Sequence, residues 1–303
     1  FNMASRSVVF RRFGDARLTG RFANAATMTI GSSYQREREA SADISGPLGG
    51  TRSETGSFSA ARTNAAFYAV VIGNAVEQVA YTVSGRMDRN SDFGDFGTQA
   101  AGVSVQVLPD TRVRASFGTA FNAPAFAQLR PTLYTVASPD LKPERSTTWQ
   151  AGIEQSVAPG FTVAATLFRQ RFRQMIQYVS GGPPTFLGSY SNLASASANG
   201  AELEANMEPG RWREELRGIL VRANYTEVRP RVSGLDAGYS GSLRVGDALI
   251  RRPTHTGNLS ISMARSVWDV STIVSYVGRR PDVDFAQFPA PTLTLDAYTK
   301  VDI

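Results

Sequence analysis

The chain has 303 residues, 42% of them apolar, with a net charge of +6, no cysteine and one histidine. These counts exclude disulfide staples, thiol nucleophiles and clustered His/Cys metal centres, and the lack of any run of about eighteen uncharged apolar residues excludes a membrane-spanning helix. The basic residues are scattered in ones and twos (Arg11-Arg12, Arg251-Arg252, Arg279-Arg280) with no recognition-helix pattern, so they read as lumenal and rim charges and nucleic acid is not an expected partner. The chain opens on Phe1-Asn2-Met3 without the basic-then-apolar order of a signal peptide, and its last residues, Val301-Asp302-Ile303, fall inside a predicted strand. An internal piece of a longer protein is therefore expected.

In chain order, tight reversals are predicted at Gly14-Asp15, Gly73-Asn74, Pro109-Asp110, Pro159-Gly160, Pro209-Gly210 and around Ala264-Arg265. Between them lie longer segments: Glu37 to Gly56, Arg89 to Gly97, Asn122 to Glu144, Ser180 to Ala198, Pro230 to Gly246 and Pro281 to Pro291. Short connections on one side and long ones on the other are the asymmetry of an outer-membrane barrel. The strands alternate with a period of two, as in Val79, Tyr81, Val83; Val103, Val105, Val107; Val113, Ala115, Phe117; and Leu259, Ile261, Met263. Arg112 and Arg114 fall on the opposite face in mid-strand, where a wet lumen tolerates them. Trp268, Val270, Thr272, Val274 and Tyr276 share one face with an aromatic residue at each end, the pattern of a lipid-facing band between two girdles. The segments add up to about thirteen strands.

The stretch around which the chain is organised runs from Arg114 to Glu154. A strand leads to Phe121-Asn122-Ala123-Pro124, a polar loop follows, and a second strand returns from near Ser146 after Pro139-Asp140-Leu141-Lys142-Pro143-Glu144. Each proline removes a backbone donor, so the two mark where ladder pairing stops and resumes. These elements resemble the mid-barrel signature of TonB-dependent outer-membrane receptors, a Phe-x-Ala-Pro strand end followed by a Leu-Lys-Pro-Glu element. Tyr190-Ser191-Asn192 and Gly200-Ala201-Glu202 are similar to elements of the same superfamily. Gly85 to Thr98, Tyr276 to Asp282 and Leu295 to Asp302 resemble its cobalamin branch.

The resemblance implies an all-β fold, a transmembrane antiparallel up-and-down β-barrel of which this chain, residues 1–303, supplies about thirteen of about 22 strands. A plug domain with its energy-coupling box and the last strands are expected to lie elsewhere. It implies a location in the bacterial outer membrane, contact with outer-membrane lipid, and uptake of a large scarce solute driven by a TonB-type inner-membrane complex. Cobalamin is the first candidate and a ferric siderophore the second, ahead of a passive porin-like channel.

External-loop aromatics are the candidate ligand contacts, because they supply large area at low entropy cost: Phe93, Phe96, Tyr134, Phe186, Tyr190, Phe285 and Phe288. Asp88, Asp92 and Asp95 form a candidate calcium loop, the single cofactor considered. A barrel hydrolase would need His255 beside a serine, but strand parity puts it on the face of Leu259 and Ile261, so no catalytic residue is assigned.

Overall fold

Period-two alternation becomes, in three dimensions, the two faces of one sheet. The computed structural model describes residues 2–22, 26–46, 50, 53–54, 56–239, 241–281 and 291–301. The strands are β1 (Asn2–Phe22), β2 (Ala26–Gly46), β3 (Ser53–Glu54), β4 (Phe58–Val76), β5 (Val79–Asn90), β6 (Gly94–Leu108) and β7 (Thr111–Asn122). After a single helical turn, α1 (Phe126–Leu129), come β8 (Glu144–Ala158), β9 (Phe161–Val179), β10 (Ser189–Met207), β11 (Ile219–Gly234), β12 (His255–Arg265), β13 (Trp268–Val277) and β14 (Thr292–Val301). Each long strand pairs antiparallel with the next in sequence, and β3 pairs only with β2, giving thirteen strands in an up-and-down path and one short one beside it. Among the described residues β1 and β14 are the edges.

The register carries one apolar face across the sheet. In line across four strands stand Phe117, Trp149, Arg169 and Asn199; the next row is Ala115, Ala151, Leu167 and Ala201, and the next Val113, Ile153, Ala165 and Leu203. On the same face Trp268 pairs with Arg265, and Tyr276 pairs with Gly257 and Leu293. In its middle band this face is apolar: Leu167, Trp149, Leu203, Leu293 and Leu295 are more than half exposed, as lipid-facing side chains must be once the lipid is taken away. The opposite face holds Arg112, which meets Glu154 at 3.7 Å, and Arg114, whose Nη2 donates to Thr166 Oγ1 at 3.5 Å, and it is the lumenal face.

Tight turns close one end at 77–78, 109–110, 159–160 and 266–267, with Gly160 in the left-handed region at φ +74. Four sequence expectations are corrected. At Pro209-Gly210 the connection is no tight reversal but runs from residue 208 to 218 through two short 3-10 turns, Pro209–Arg211 and Glu214–Leu216. Gly14-Asp15 is not a reversal but lies mid-strand, paired with Tyr34 and Ser33, and the reversal falls between Phe22 and Ala26. The turn expected at Gly73-Asn74 is displaced to residues 77–78, because β4 continues through a register shift after Asn74. The segments from Glu37, from Arg89 and from Ser180 are shorter than expected, since β2 runs on to Gly46, β5 and β6 meet in a hairpin at 91–93, and β10 already begins at Ser189.

The packed core is small and sits inside the external end. Leu193, Ala196, Val232 and Leu249 are buried together, with Phe172, Met175, Leu235, Tyr239 and Leu243 against them. Strand parity alone would turn Leu193 and Met175 outward. Gln174 at φ 56 and the register shift between Ser195 and Ala196 rotate the strand ends inward, so the loop after β11 folds onto them.

Candidate functional site

The two proline-marked elements are fastened at the external rim by one asparagine and one glutamate. Asn192 Nδ2 donates to Lys142 O at 3.0 Å and to Gln174 O at 2.6 Å, while Lys142 N–H donates to Asn192 Oδ1 at 2.9 Å. A side-chain amide thus completes the backbone pairing that Pro143 interrupts. Glu144, at the start of β8, accepts from Ile176 N–H at 2.7 Å and from Asn122 Nδ2 at 3.0 Å, which ties the end of β7 to the end of β9. On the other flank Arg62 donates to Pro124 O at 2.6 Å and to Glu37 at 2.9 Å, and its guanidinium lies 4.7 Å from the centre of the buried Phe126 ring. Asp43 accepts from Leu133 N–H at 2.8 Å. The loop from 123 to 143 is therefore held at both ends and in the middle.

Held in this way, the loop forms one wall of a cavity of about 690 Å³ at the external mouth. Tyr134, Tyr178, Tyr190, Gln177, Ser180 and Arg251 line it. Tyr178 and Tyr190 stand opposite each other across the β9–β10 ladder with ring centroids 5.7 Å apart, edge to face. The outer strand of the loop is zipped to the segment before β10: Gly188 N–H donates to Tyr134 O at 2.9 Å and Val136 N–H to Gly188 O at 2.8 Å. Aromatic edges, amides and a cation around a concave space suit a large solute with both apolar and polar surface.

Of the aromatic residues expected from sequence, Tyr134 and Tyr190 meet in this cavity. Phe186 stands on the neighbouring loop, 68% exposed. Phe93 is in the β5–β6 turn and Phe96 is buried elsewhere, stacked on Phe121 with centroids 4.4 Å apart. Phe285 and Phe288 lie outside the described residues. Tyr178, Gln177 and Arg251 were missed because the first two read as ordinary strand residues and the third as a scattered charge. The pairing of Tyr178 with Tyr190 follows only from register.

The three aspartates do not converge. Asp88 is buried on the lumenal face, held by Arg86 at 2.9 Å and Asn64 at 2.6 Å, whereas Asp95 pairs across the hairpin with Arg89 on the other face. Asp92 accepts from Ser91 at the tip. Two faces of one hairpin cannot chelate one ion, and among the described residues no group of three metal-binding side chains gathers. The Arg89 guanidinium, bonded to Asp95 at 2.9 Å, holds that carboxyl below the ordinary range. His255 takes the outward position expected for it, its Nδ1 2.7 Å from the Tyr225 hydroxyl.

A family model described as TonB dependent receptor-like, beta-barrel matches residues 2–303. The vitamin B12 transporter BtuB of Vibrio cholerae is 27% identical over 243 residues, which is 80% of this chain and 35% of that protein. That of Vibrio vulnificus is 29% identical over 222 residues, 72% of this chain and 31% of that protein. Among solved structures, the copper transporter OprC superposes with a TM-score of 0.75 at 13% identity, covering 99% of this chain and 49% of that one. A ferric enterobactin receptor of Pseudomonas aeruginosa gives 0.69 at 16% identity, covering 96% and 46%. This chain thus spans about a third of the length of the curated relatives it matches and about half of the solved chains, and the likeness to the latter is one of fold. With the family match running the length of an antiparallel sheet whose outer face carries an apolar band and whose inner face carries charges, the chain belongs to the TonB-dependent receptor-like β-barrel family, outer-membrane proteins that are receptors and not enzymes.

Proposed function

We propose that this stretch forms wall and external mouth of a receptor that takes up a large, scarce solute, cobalamin foremost, with energy supplied by a TonB-type inner-membrane complex through a plug domain. The observation that carries the reading is the mouth cavity of about 690 Å³ with its three tyrosines, glutamine and arginine. The sequence likeness to vitamin B12 transporters over 80% of the chain supports the choice of solute. Cobalamin has a broad ring face and a rim of amides. Tyr134, Tyr178 and Tyr190 offer apolar area to the first, and Gln177 and Arg251 offer hydrogen bonds to the second. The external-loop residues Phe186, Phe285 and Phe288 belong to the same proposed contact set. A ferric siderophore is the second reading, favoured by Arg251 at the cavity wall, since ferric chelates are commonly anionic.

The test is a titration of the full-length receptor in detergent with cyanocobalamin and a panel of ferric siderophores side by side. Tight cobalamin binding is expected, weakened about tenfold to a hundredfold by Tyr134→Ala combined with Tyr190→Ala. Binding of a siderophore alone would keep the receptor and replace the solute, and binding of neither would sink the proposal.

A further inference from the structure

The turn at residues 132–135 is bonded to two walls of the barrel at once. Thr132 N–H donates to Thr135 O at 2.9 Å, Thr135 N–H donates to Thr132 Oγ1 at 3.1 Å, and the two threonine hydroxyls stand 2.7 Å apart, so the four residues make a compact knuckle. From it Leu133 N–H donates to Asp43 Oδ2 at 2.8 Å, on β2. The next residue, Tyr134, accepts through its carbonyl from Gly188 N–H at 2.9 Å, beside the first residue of β10, and Thr135 and Gly188 form an isolated parallel bridge. In the sheet β4, β5, β6, β7, β8 and β9 stand between β2 and β10. At about 4.8 Å per strand this puts the two roughly 34 Å apart along the sheet. Adjacent residues, with Cα atoms about 3.8 Å apart, therefore join rims that the strand order keeps far from each other. The loop is a cross-tie over the mouth.

The β2 side is shaped to receive the tie. Asp43 is 3% exposed, and its Oδ1 accepts from Ser5 Oγ at 2.6 Å, so one carboxylate oxygen is held by β1 while the other holds the loop. Beside it, a Cβ on the buried Gly56 would stand 2.7 Å from the Thr132 carbonyl carbon and 3.0 Å from Leu133 N. The backbone of the knuckle rests where any side chain at 56 would be. On its other side the same knuckle supplies Thr132, Tyr134 and Thr135 to the lining of the mouth cavity. Where the knuckle sits thus decides how far Tyr134 stands from Tyr178 and Tyr190.

We infer that Asp43 is a positioning residue for the solute: from the far wall of the barrel it fixes the knuckle, and through it the place of Tyr134 and the width of the mouth cavity. This rests on the reading of that cavity as the seat of the solute. A carboxylate makes a shorter and stronger acceptor for a backbone N–H than a neutral oxygen does, which suits a tie that must hold a loop otherwise fastened to the β10 side by Gly188 and Asn192. A contact residue about 1 Å out of place loses much of its value even though it is present.

The test uses the full-length receptor in detergent, with spin labels on Ala61→Cys of β4 and Arg130→Cys of the loop, both exposed positions, and a parallel titration with cyanocobalamin. Without solute one narrow distance is expected. It should broaden in Asp43→Ala and in Gly56→Ala, which displaces the knuckle without touching the carboxylate. Cyanocobalamin binding should weaken about tenfold in both. Asp43→Asn should restore both readings, since its amide can donate to Ser5 Oγ while its oxygen accepts from Leu133 N–H. In a Tyr134→Ala background the loss caused by Asp43→Ala should vanish, the mark of a residue that acts through Tyr134. A distance left narrow by Asp43→Ala, or a loss of equal size with and without Tyr134, would overturn the inference. Failure of the unaltered receptor to bind cyanocobalamin would instead remove the solute reading, and the distances would then decide the tie by themselves.

Discussion

Asn192 makes three hydrogen bonds to backbone groups on two separate segments, and no other residue type of that size has both a donor and an acceptor for the task. Replacing it by alanine removes all three: water takes up the exposed Lys142 groups, and the part-buried Gln174 O loses its side-chain donor, at a cost of about 1–3 kcal/mol. Asn192→Ala should therefore release the loop from 123 to 143 to protease while the barrel stays resistant, and limited proteolysis followed by mass mapping reads this directly. A second residue-scale expectation concerns pH. Because Arg89 lowers the Asp95 carboxyl in the folded hairpin, this pair contributes stability that is present above the unfolded carboxylate range and lost as pH falls through the lowered folded value. Measured against the slower intrinsic exchange in acid, amide protection at the 89–95 hairpin tip should fall as pH falls, and Asp95→Asn should remove that dependence. Both groups are exposed, so the effect is small and fades with added salt.

At the scale of elements, Gly188 shows how closely the loop before β10 approaches the strand face. A Cβ there would collide with the Tyr178 ring, on the wall of the mouth cavity. Gly188→Val is expected to push that ring into the cavity and weaken solute binding about tenfold or more, with the unfolding temperature nearly unchanged, because the barrel ladder is untouched. Strand alternation and the proline-marked loop were legible from sequence: β7 ends at Asn122 and β8 starts at Glu144, where Pro124 and Pro143 bracket the break. Turns were less legible. Gly14-Asp15 has turn chemistry, but it lies within a strand of 21 residues, far beyond the usual length, and long pairing outweighs a local preference. Arg89 to Gly97 reads as polar loop, yet its charges pair across a hairpin. The site was half legible. Tyr134 and Tyr190 carried a composition signal, while Tyr178 enters through its register with Tyr190 and Arg251 through the loop after β11.

For the whole molecule, the two sheet edges decide whether this stretch stands alone. β1 and β14 present unpaired backbone groups along their outer sides among the described residues, and in hydrocarbon each unpaired group costs several kcal/mol. Residues 1–303 refolded by themselves into detergent should fail to give the heat-modifiable, protease-resistant band that the full-length receptor gives on a gel. Strand length has a different consequence. β2 has 21 residues, about 70 Å of strand and roughly 50 Å of height when tilted, against a lipid band about 25 Å tall. With tight turns at the periplasmic end, the excess stands outside as a turret, and its rim lies about three Debye lengths from the lipid head groups at physiological salt. A charged solute arriving there is beyond the surface field of the leaflet. Its rate of capture is set by collision with the rim and is indifferent to how anionic the surrounding membrane happens to be.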